Sequence, residues 1–247
     1  MLPRFYAPHL LIDAERLTLA GDEALHLTRV LRLGPGAALR VFDGRGLERT
    51  AVVDAVRRGE VTLDLGDRVD AARELPFRLT LASAVLKGDA MDGIVRDATM
   101  LGVTAIQPVV TGRSEVPMAA LERGRRHERW HRIAISSAKQ CRRAVVPDIA
   151  QPAGFTAALN LARGRAVLVL IEPSAPIVSS AVSVLDRIPT GDGVVVFVGP
   201  EGGWSEQELT EAAEAGARLV TLGDRTLRAD AMALVALPVL LYVWGEL

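Results

Sequence analysis

Along the first 70 residues the apolar positions recur with a period of two. Leu39-Arg40-Val41-Phe42 runs into Asp43-Gly44, a hairpin-turn signal. Val61, Leu63 and Leu65 alternate with Thr62 and Asp64, as in a half-buried strand. One short helix interrupts these strands, with Asp22 as its expected N-cap. Ala24, Leu27, Val30 and Leu31 form its inward stripe, and His26, Arg29 and Arg32 fall on the other side. These three fit a solvated polar face or a phosphate-binding ridge, and the near balance of basic and acidic residues around them favours the first.

Ala71 to Pro76 reads as a linker, and the pattern then becomes strand-helix alternation. A strand is expected over 77–85, followed by a helix in which Met91, Ile94, Val95, Ala98 and Leu101 keep helical spacing and Gly102 is the stop. Further strands are expected at 103–110, 166–171, 194–198 and 218–222. Further helices are expected near 128–141, 176–186, 205–215 and 230–244. That order predicts an α/β fold with a mainly parallel sheet covered on both faces.

Val194-Val195-Val196-Phe197-Val198 is apolar without alternation, as in a strand buried on both faces. It runs into Gly199-Pro200-Glu201-Gly202-Gly203, and Ser205 with Glu208 then fits a capping box that opens a helix. The glycines permit positive φ and close approach of a ligand to the backbone. A turn at the carboxyl end of a parallel strand is also where open α/β sheets bind ligands. A tight turn without a ligand fits the same residues. The stretch is neither a Walker phosphate loop nor a Gly-x-Gly-x-x-Gly fingerprint, which weighs against a generic nucleotide-binding enzyme.

The 247 residues carry a net charge of −1, so no global basic signal marks a polyanion partner. The balance shifts locally between 113 and 143. There Arg113, Arg123, Arg125, Arg126, Arg129, Arg132, Lys139, Arg142 and Arg143 face only Glu115, Glu122 and Glu128, nine cations against three anions. Such asymmetry suits nucleic acid. Trp130, within it, fits the core stripe with Ile133 and Ala134 better than a base-stacking role. Cys141 is the only cysteine, so no intrachain disulfide forms and the chain reads as cytoplasmic. The N-terminus has no signal-peptide core. The apolar run Ala231 to Trp244 is short of the roughly 20 residues a membrane span needs and contains Pro238; it reads as a buried or interface helix, and no membrane partner is expected. No metal site is expected.

"VGPEGGWSEQE" followed by "LGDRTLRAD" resembles the paired cofactor loops of the SPOUT class of RNA methyltransferases. More closely, the chain is similar to the bacterial family that methylates N3 of a uridine in 16S ribosomal RNA of the small subunit. "PRFY", "HLTRVLRLGPG", "VFDGRG", "LGVTAIQPVVTGRS" and "RWHRIAISSAKQCRRAVVPDI" support the likeness. The resemblance implies a PUA-like β-barrel at 1–72 that helps hold RNA, through Arg4, His26, Arg29 and Arg32. It implies a SPOUT α/β domain at 73–247 with a deep trefoil knot. It implies S-adenosyl-L-methionine as cofactor, in a pocket lined by Ile171, Gly199, Glu201, Gly202, Leu222, Gly223 and Leu227. It also implies a homodimer acting on ribosomal RNA or the small subunit, with the final apolar helix in the interface. Arg228 and Arg113 are the catalytic candidates, as cations that stabilise charge developing on a uracil carbonyl. Met100, Lys139 and the run Ala229-Asp230-Ala231-Met232 depart from the family pattern. The altered run leaves open a second reading, a non-catalytic RNA-binding or ribosome-assembly factor on the same scaffold.

Overall fold

The computed structural model describes residues 2–175 and 193–247, in two compact units. The helix expected at 176–186 lies outside the described residues. The first unit comprises 1–74 with 135–146, and the second 75–134 with 147–247.

In the first unit five strands form one sheet: β1 (Arg4–Tyr6), β2 (Arg16–Leu19), β3 (Ala38–Phe42), β4 (Glu48–Arg57) and β5 (Glu60–Arg68), in the order β1-β3-β4-β5-β2. The β1–β3 pair is parallel and the others are antiparallel. The Asp43-Gly44 turn joins β3 to β4 as the sequence predicts. The Asp43 carboxylate accepts the amides of Arg45 and Leu47. Gly44 has φ +80, and a β-carbon there would lie 2.8 Å from the Tyr6 ring, so glycine is required twice over.

The short helix differs from expectation. It begins at Gly21, with Ala20 rather than Asp22 in the capping position, and runs as α1 (Gly21–Leu25) into a π-helical turn (His26–Val30). The Leu31 amide reaches back five residues to the His26 carbonyl. Widening the turn rotates the next residues away from the core. Ala24 and Leu27 are buried as predicted, but Val30 and Leu31 are exposed.

In the second unit, β6 (Leu79–Ala84), β7 (Ala105–Val110), β8 (Asp148–Ile149), β10 (Ala166–Leu170), β11 (Val194–Val198) and β12 (Arg218–Val220) lie in the order β12-β10-β11-β6-β7-β8. A short β9 (Ala153–Gly154) adds to β7, and every pairing is parallel. Every residue of β6 and β11 is buried, which explains the unalternating apolar run of β11. The helices are α2 (Ala90–Met100), α3 (Met118–Glu122), α4 (Arg126–Cys141), α5 (Phe155–Leu161), α6 (Glu206–Glu214) and α7 (Ala229–Val243). The α4 helix crosses from the second unit into the first.

Gly102 ends α2 with φ +92, and the Ser205–Glu208 capping box opens α6, both as predicted. Trp130 is buried, as its place in the core stripe requires. On α7, Ala229, Ala233, Ala236, Leu237, Leu240 and Leu241 are buried on one face. Leu234, Val235, Val239, Tyr242 and Val243 are exposed on the other. Among the described residues no helix is long and apolar enough to cross a membrane.

Candidate active site

The register aligns the carboxyl ends of three strands. Leu170 of β10 lies beside Val220 of β12, and Val169 lies beside Phe197 of β11. The loops after these strands, 171–175, 199–205 and 221–228, therefore leave the sheet at one edge. The Ile171 amide still donates to the Val220 carbonyl at 2.9 Å, holding the first loop against the third.

A cleft of about 270 Å³ opens between these loops. Its walls are Leu170 to Pro173, Val198 to Glu201, Gly203, Trp204, Thr226 to Ala229 and Met232. Of the residues expected to hold the cofactor, Ile171, Gly199, Glu201 and Leu227 line it, and Arg228 stands at its wall. Gly202, Leu222 and Gly223 do not line it. Gly202 faces Arg113, while Leu222 and the exposed Gly223, with φ +75, sit earlier in the third loop. Sequence reasoning missed Glu172, Thr226 and Met232. Glu172 follows a predicted strand directly, and that position is the one signal that could have found it.

The three glycines of this loop differ in backbone conformation. Only Gly203 has positive φ, +67. A β-carbon on Gly199 would come 3.0 Å from Trp204 Cε2 and 3.1 Å from its Nε1. Gly199 thus makes room for the indole. That indole is buried, packs at a tilt against Phe155 and edge-on to Phe197, and donates from Nε1 to the Leu170 carbonyl at 2.8 Å. A β-carbon on Gly202 would come 3.3 Å from the Arg113 β-carbon. The glycines let protein groups pack under the loop, and the cleft is the space left over.

Glu208 ties a fourth loop to this one. Its buried carboxylate accepts the Ser205 amide and hydroxyl at 2.9 Å through Oε2, and the Gly112 amide at 2.8 Å through Oε1. The loop after β7 is itself closed by Ser114, whose Oγ accepts the Thr111 amide. Arg113 is thereby carried to the glycine loop, where its Nη1 donates to the Gly202 carbonyl at 2.8 Å. Arg228 caps α7 by position; its exposed guanidinium bonds the Asp230 carboxylate at 3.2 and 3.3 Å.

The two catalytic candidates therefore stand on the loops around the cleft. The residues expected to hold RNA lie in the first unit. Arg29 and Arg32 are exposed, and His26 is half-buried with its ring 5.8 Å from that of Phe5. Arg4 is placed otherwise. It is buried, bonds both oxygens of the buried Glu48 at 3.0 and 2.8 Å, and donates to the carbonyls of Ala138, Lys139 and Arg143. Its cation is consumed by the fold. The basic excess of 113–143 is likewise partly neutralised. Arg129 pairs with Asp89 and Asp92, Lys139 with Glu23, and Arg143 with Glu74.

A two-part chain with a parallel sheet and a cleft at the carboxyl ends of its strands belongs to the α/β class that binds ligands at that edge. Residues 73–241 match the family profile described as an RNA methyltransferase domain, and residues 19–66 match that of an RNA methyltransferase PUA domain. A Synechocystis protein named ribosomal RNA small subunit methyltransferase E is 34% identical, over 94% of this chain and 74% of its own length. A Bacillus subtilis protein of the same name is 28% identical, over 93% and 91%. The same-named protein of Neisseria gonorrhoeae, solved bound to S-adenosyl methionine, superposes with TM-score 0.84 at 33% identity, over 99% and 98% of the two chains. A Legionella pneumophila protein, solved with its bound cofactor SAM, superposes with TM-score 0.88 at 27% identity, over 99% and 98%. The chain belongs to the ribosomal RNA small subunit methyltransferase E family.

Proposed function

We propose that the protein transfers a methyl group from S-adenosyl-L-methionine to N3 of a uridine in 16S ribosomal RNA. The observation that carries this reading is the cleft itself, closed by the loops after β10, β11 and β12 with Ile171, Gly199 and Leu227 on its walls. Its lining fits the cofactor. Leu170, Ile171, Val198, Leu227 and Met232 offer apolar surface to an adenosyl group, and Glu201 places a carboxylate where a cationic ligand gains from it. When bound, the cofactor supplies a sulfonium-activated methyl group. The protein's part is positioning, and charge stabilisation by Arg113 and Arg228.

Residues 1–72 act as the RNA-holding PUA-like domain, with His26, Arg29 and Arg32 toward RNA, and 73–247 as the methyltransferase domain. The trefoil knot belongs to the same reading. So does a cytoplasmic homodimer, which the exposed apolar face of α7 supports, since Leu234, Val235, Val239, Tyr242 and Val243 form one contiguous side.

The second reading, an assembly factor without chemistry, is favoured by one observation. Ala229 and Met232, which depart from the family pattern, are cleft residues. Calorimetry with S-adenosylmethionine separates the two, because the enzyme binds and the scaffold alone gives no heat. Mapping N3-methyluridine in 16S ribosomal RNA from a deletion strain tests the activity. The modification disappears on deletion and returns with the wild-type chain, and its persistence refutes the assignment.

A further inference from the structure

A second chamber, of about 180 Å³, adjoins the cleft. The two share the wall formed by Ile171, Glu172, Gly203 and Trp204. Where the cleft is lined largely by hydrocarbon, the chamber carries Arg113, Glu172, Ser174 and Glu206. Arg113 Nη1 and Glu172 Oε1 lie 4.0 and 3.1 Å from the point a β-carbon on Gly203 would occupy, so the two charged atoms stand at most 7.1 Å apart. Among the described residues no ion pair joins them. Both side chains are exposed, so solvent screens their attraction and their positions follow from what each is bonded to. Here Arg113 is held by the Gly202 carbonyl and by its closed loop, itself tied to Glu208. Glu172 sits on another loop, braced by the turn in which the Ala175 amide donates to its own carbonyl.

A held-apart guanidinium and carboxylate form a seat for a flat group with a donor beside an acceptor. A uracil imide has that edge: N3–H next to a carbonyl oxygen. Cytosine offers an acceptor at N3 and so opposes a carboxylate there. N3-methyluracil has no proton to give.

Resting on the methyl-transfer reading, we propose that this chamber seats the target base, with Glu172 accepting the imide N3–H and Arg113 donating to the flanking carbonyl oxygen. Glu172 is then also the proton acceptor. As the N–H bond breaks, the proton passes to a Glu172 oxygen. The electron pair stays on the imide, shared with the carbonyl oxygen that Arg113 faces. The shared wall sets the base against the cleft. The missing β-carbon of Gly203 keeps the seat open, because any side chain there would meet Glu172.

The first arm of the test needs no methyl donor. Uridine 5′-monophosphate, 3-methyluridine 5′-monophosphate and cytidine 5′-monophosphate are titrated into the full-length protein and followed by NMR. One hydrogen bond to a charged group predicts that the wild type prefers uridine to either analogue by about 10- to 100-fold. Glu172→Ala reduces that preference to about twofold or less, and Glu172→Gln, which keeps the shape but not the charge, falls between. In parallel, single-turnover methylation of small subunits at saturating donor drops about 100-fold or more in Glu172→Ala, while the donor Kd stays within about threefold.

A wild type that binds none of the nucleotides, or does not distinguish uridine from 3-methyluridine, overturns the proposal. So does a Glu172→Ala variant that loses donor affinity but keeps the base preference, since the chamber would then hold the donor's amino-acid end. A wild type without donor binding or methyl transfer sinks the functional reading instead, whatever the nucleotide titrations show.

Discussion

Gly199→Ala is the substitution that separates two reasons for a glycine in the loop after β11. If the residue is there for close approach of a ligand, alanine blocks binding and leaves the fold intact. If it is there for Trp204, alanine damages the fold first. The structure favours the second. Gly199 has no positive φ, so alanine adopts its backbone without strain. The added methyl lies 3.0 Å from Trp204 Cε2, closer than ordinary carbon contact, and the indole is packed against Phe155 and Phe197. Overpacking of this kind costs about 1–3 kcal/mol. Movement of the indole also breaks its bond to the Leu170 carbonyl, and a buried donor left unpaired costs about 1–3 kcal/mol more.

The expected loss is therefore about 2–6 kcal/mol, or about 4–24 °C in midpoint for a chain of this size. Thermal and urea unfolding measure it. A second measurement isolates the cause. In a Trp204→Phe background, which already lacks the indole, Gly199→Ala should cost less than half as much. Full stability of Gly199→Ala together with lost S-adenosylmethionine binding would refute the packing argument and return the glycine to the ligand.

Three further outcomes rest on the same geometry. Arg4→Ala leaves the buried Glu48 carboxylate with only the longer Arg40 pair at 3.8 Å and should destabilise the first unit by about 2–4 kcal/mol in urea unfolding, whereas an RNA contact would lower RNA affinity at unchanged stability. Arg228→Ala frees Asp230 at an exposed position and should leave stability within about 0.5 kcal/mol; single-turnover methylation should slow about 100-fold with donor affinity retained, and unchanged turnover removes Arg228 from the chemistry. Burial pushes the Tyr6 phenol above its usual range, offset in part by Arg45 and then raised by Asp43. Its proton is held more tightly in the fold than in the open chain, so stability is unaffected below pH of about 10 and falls as pH rises from there to the higher folded value. In Tyr242→Phe, where Tyr6 is the remaining tyrosine, phenolate absorbance should rise only above the range of the unfolded protein.

Much of this site was legible in the chain because its strands are short and bounded. The run 194–198 matches β11 at both ends, and the capping box opens α6 as Ser205 and Glu208 predict. Gly102 stops α2 because only a left-handed residue closes that turn. Where local periodicity governs, local sequence is enough. It failed at the π-helical turn, where one extra residue per turn put Val30 and Leu31 in solvent, and no propensity scale carries that signal. It also misjudged cations. Arg4 and Lys139 read as free charge, yet Arg4 finds Glu48 and Lys139 finds Glu23, 116 positions away. Lys139, a departure from the family pattern, is thus accounted for by an acid that no local window contains.

The connections that assemble the cleft are of this distant kind. Glu208 was legible as a helix cap, and it is one. The same carboxylate has a second oxygen, and that oxygen holds Gly112, 96 positions away. One buried side chain therefore fixes both the loop that forms the cleft wall and the loop that carries Arg113. Deleting it exposes two amides and a hydroxyl at once, while moving an arginine that Glu208 never touches. A cap-only role would confine the damage to α6. The bond to Gly112 extends it to the charged wall of the second chamber, where Arg113 stands.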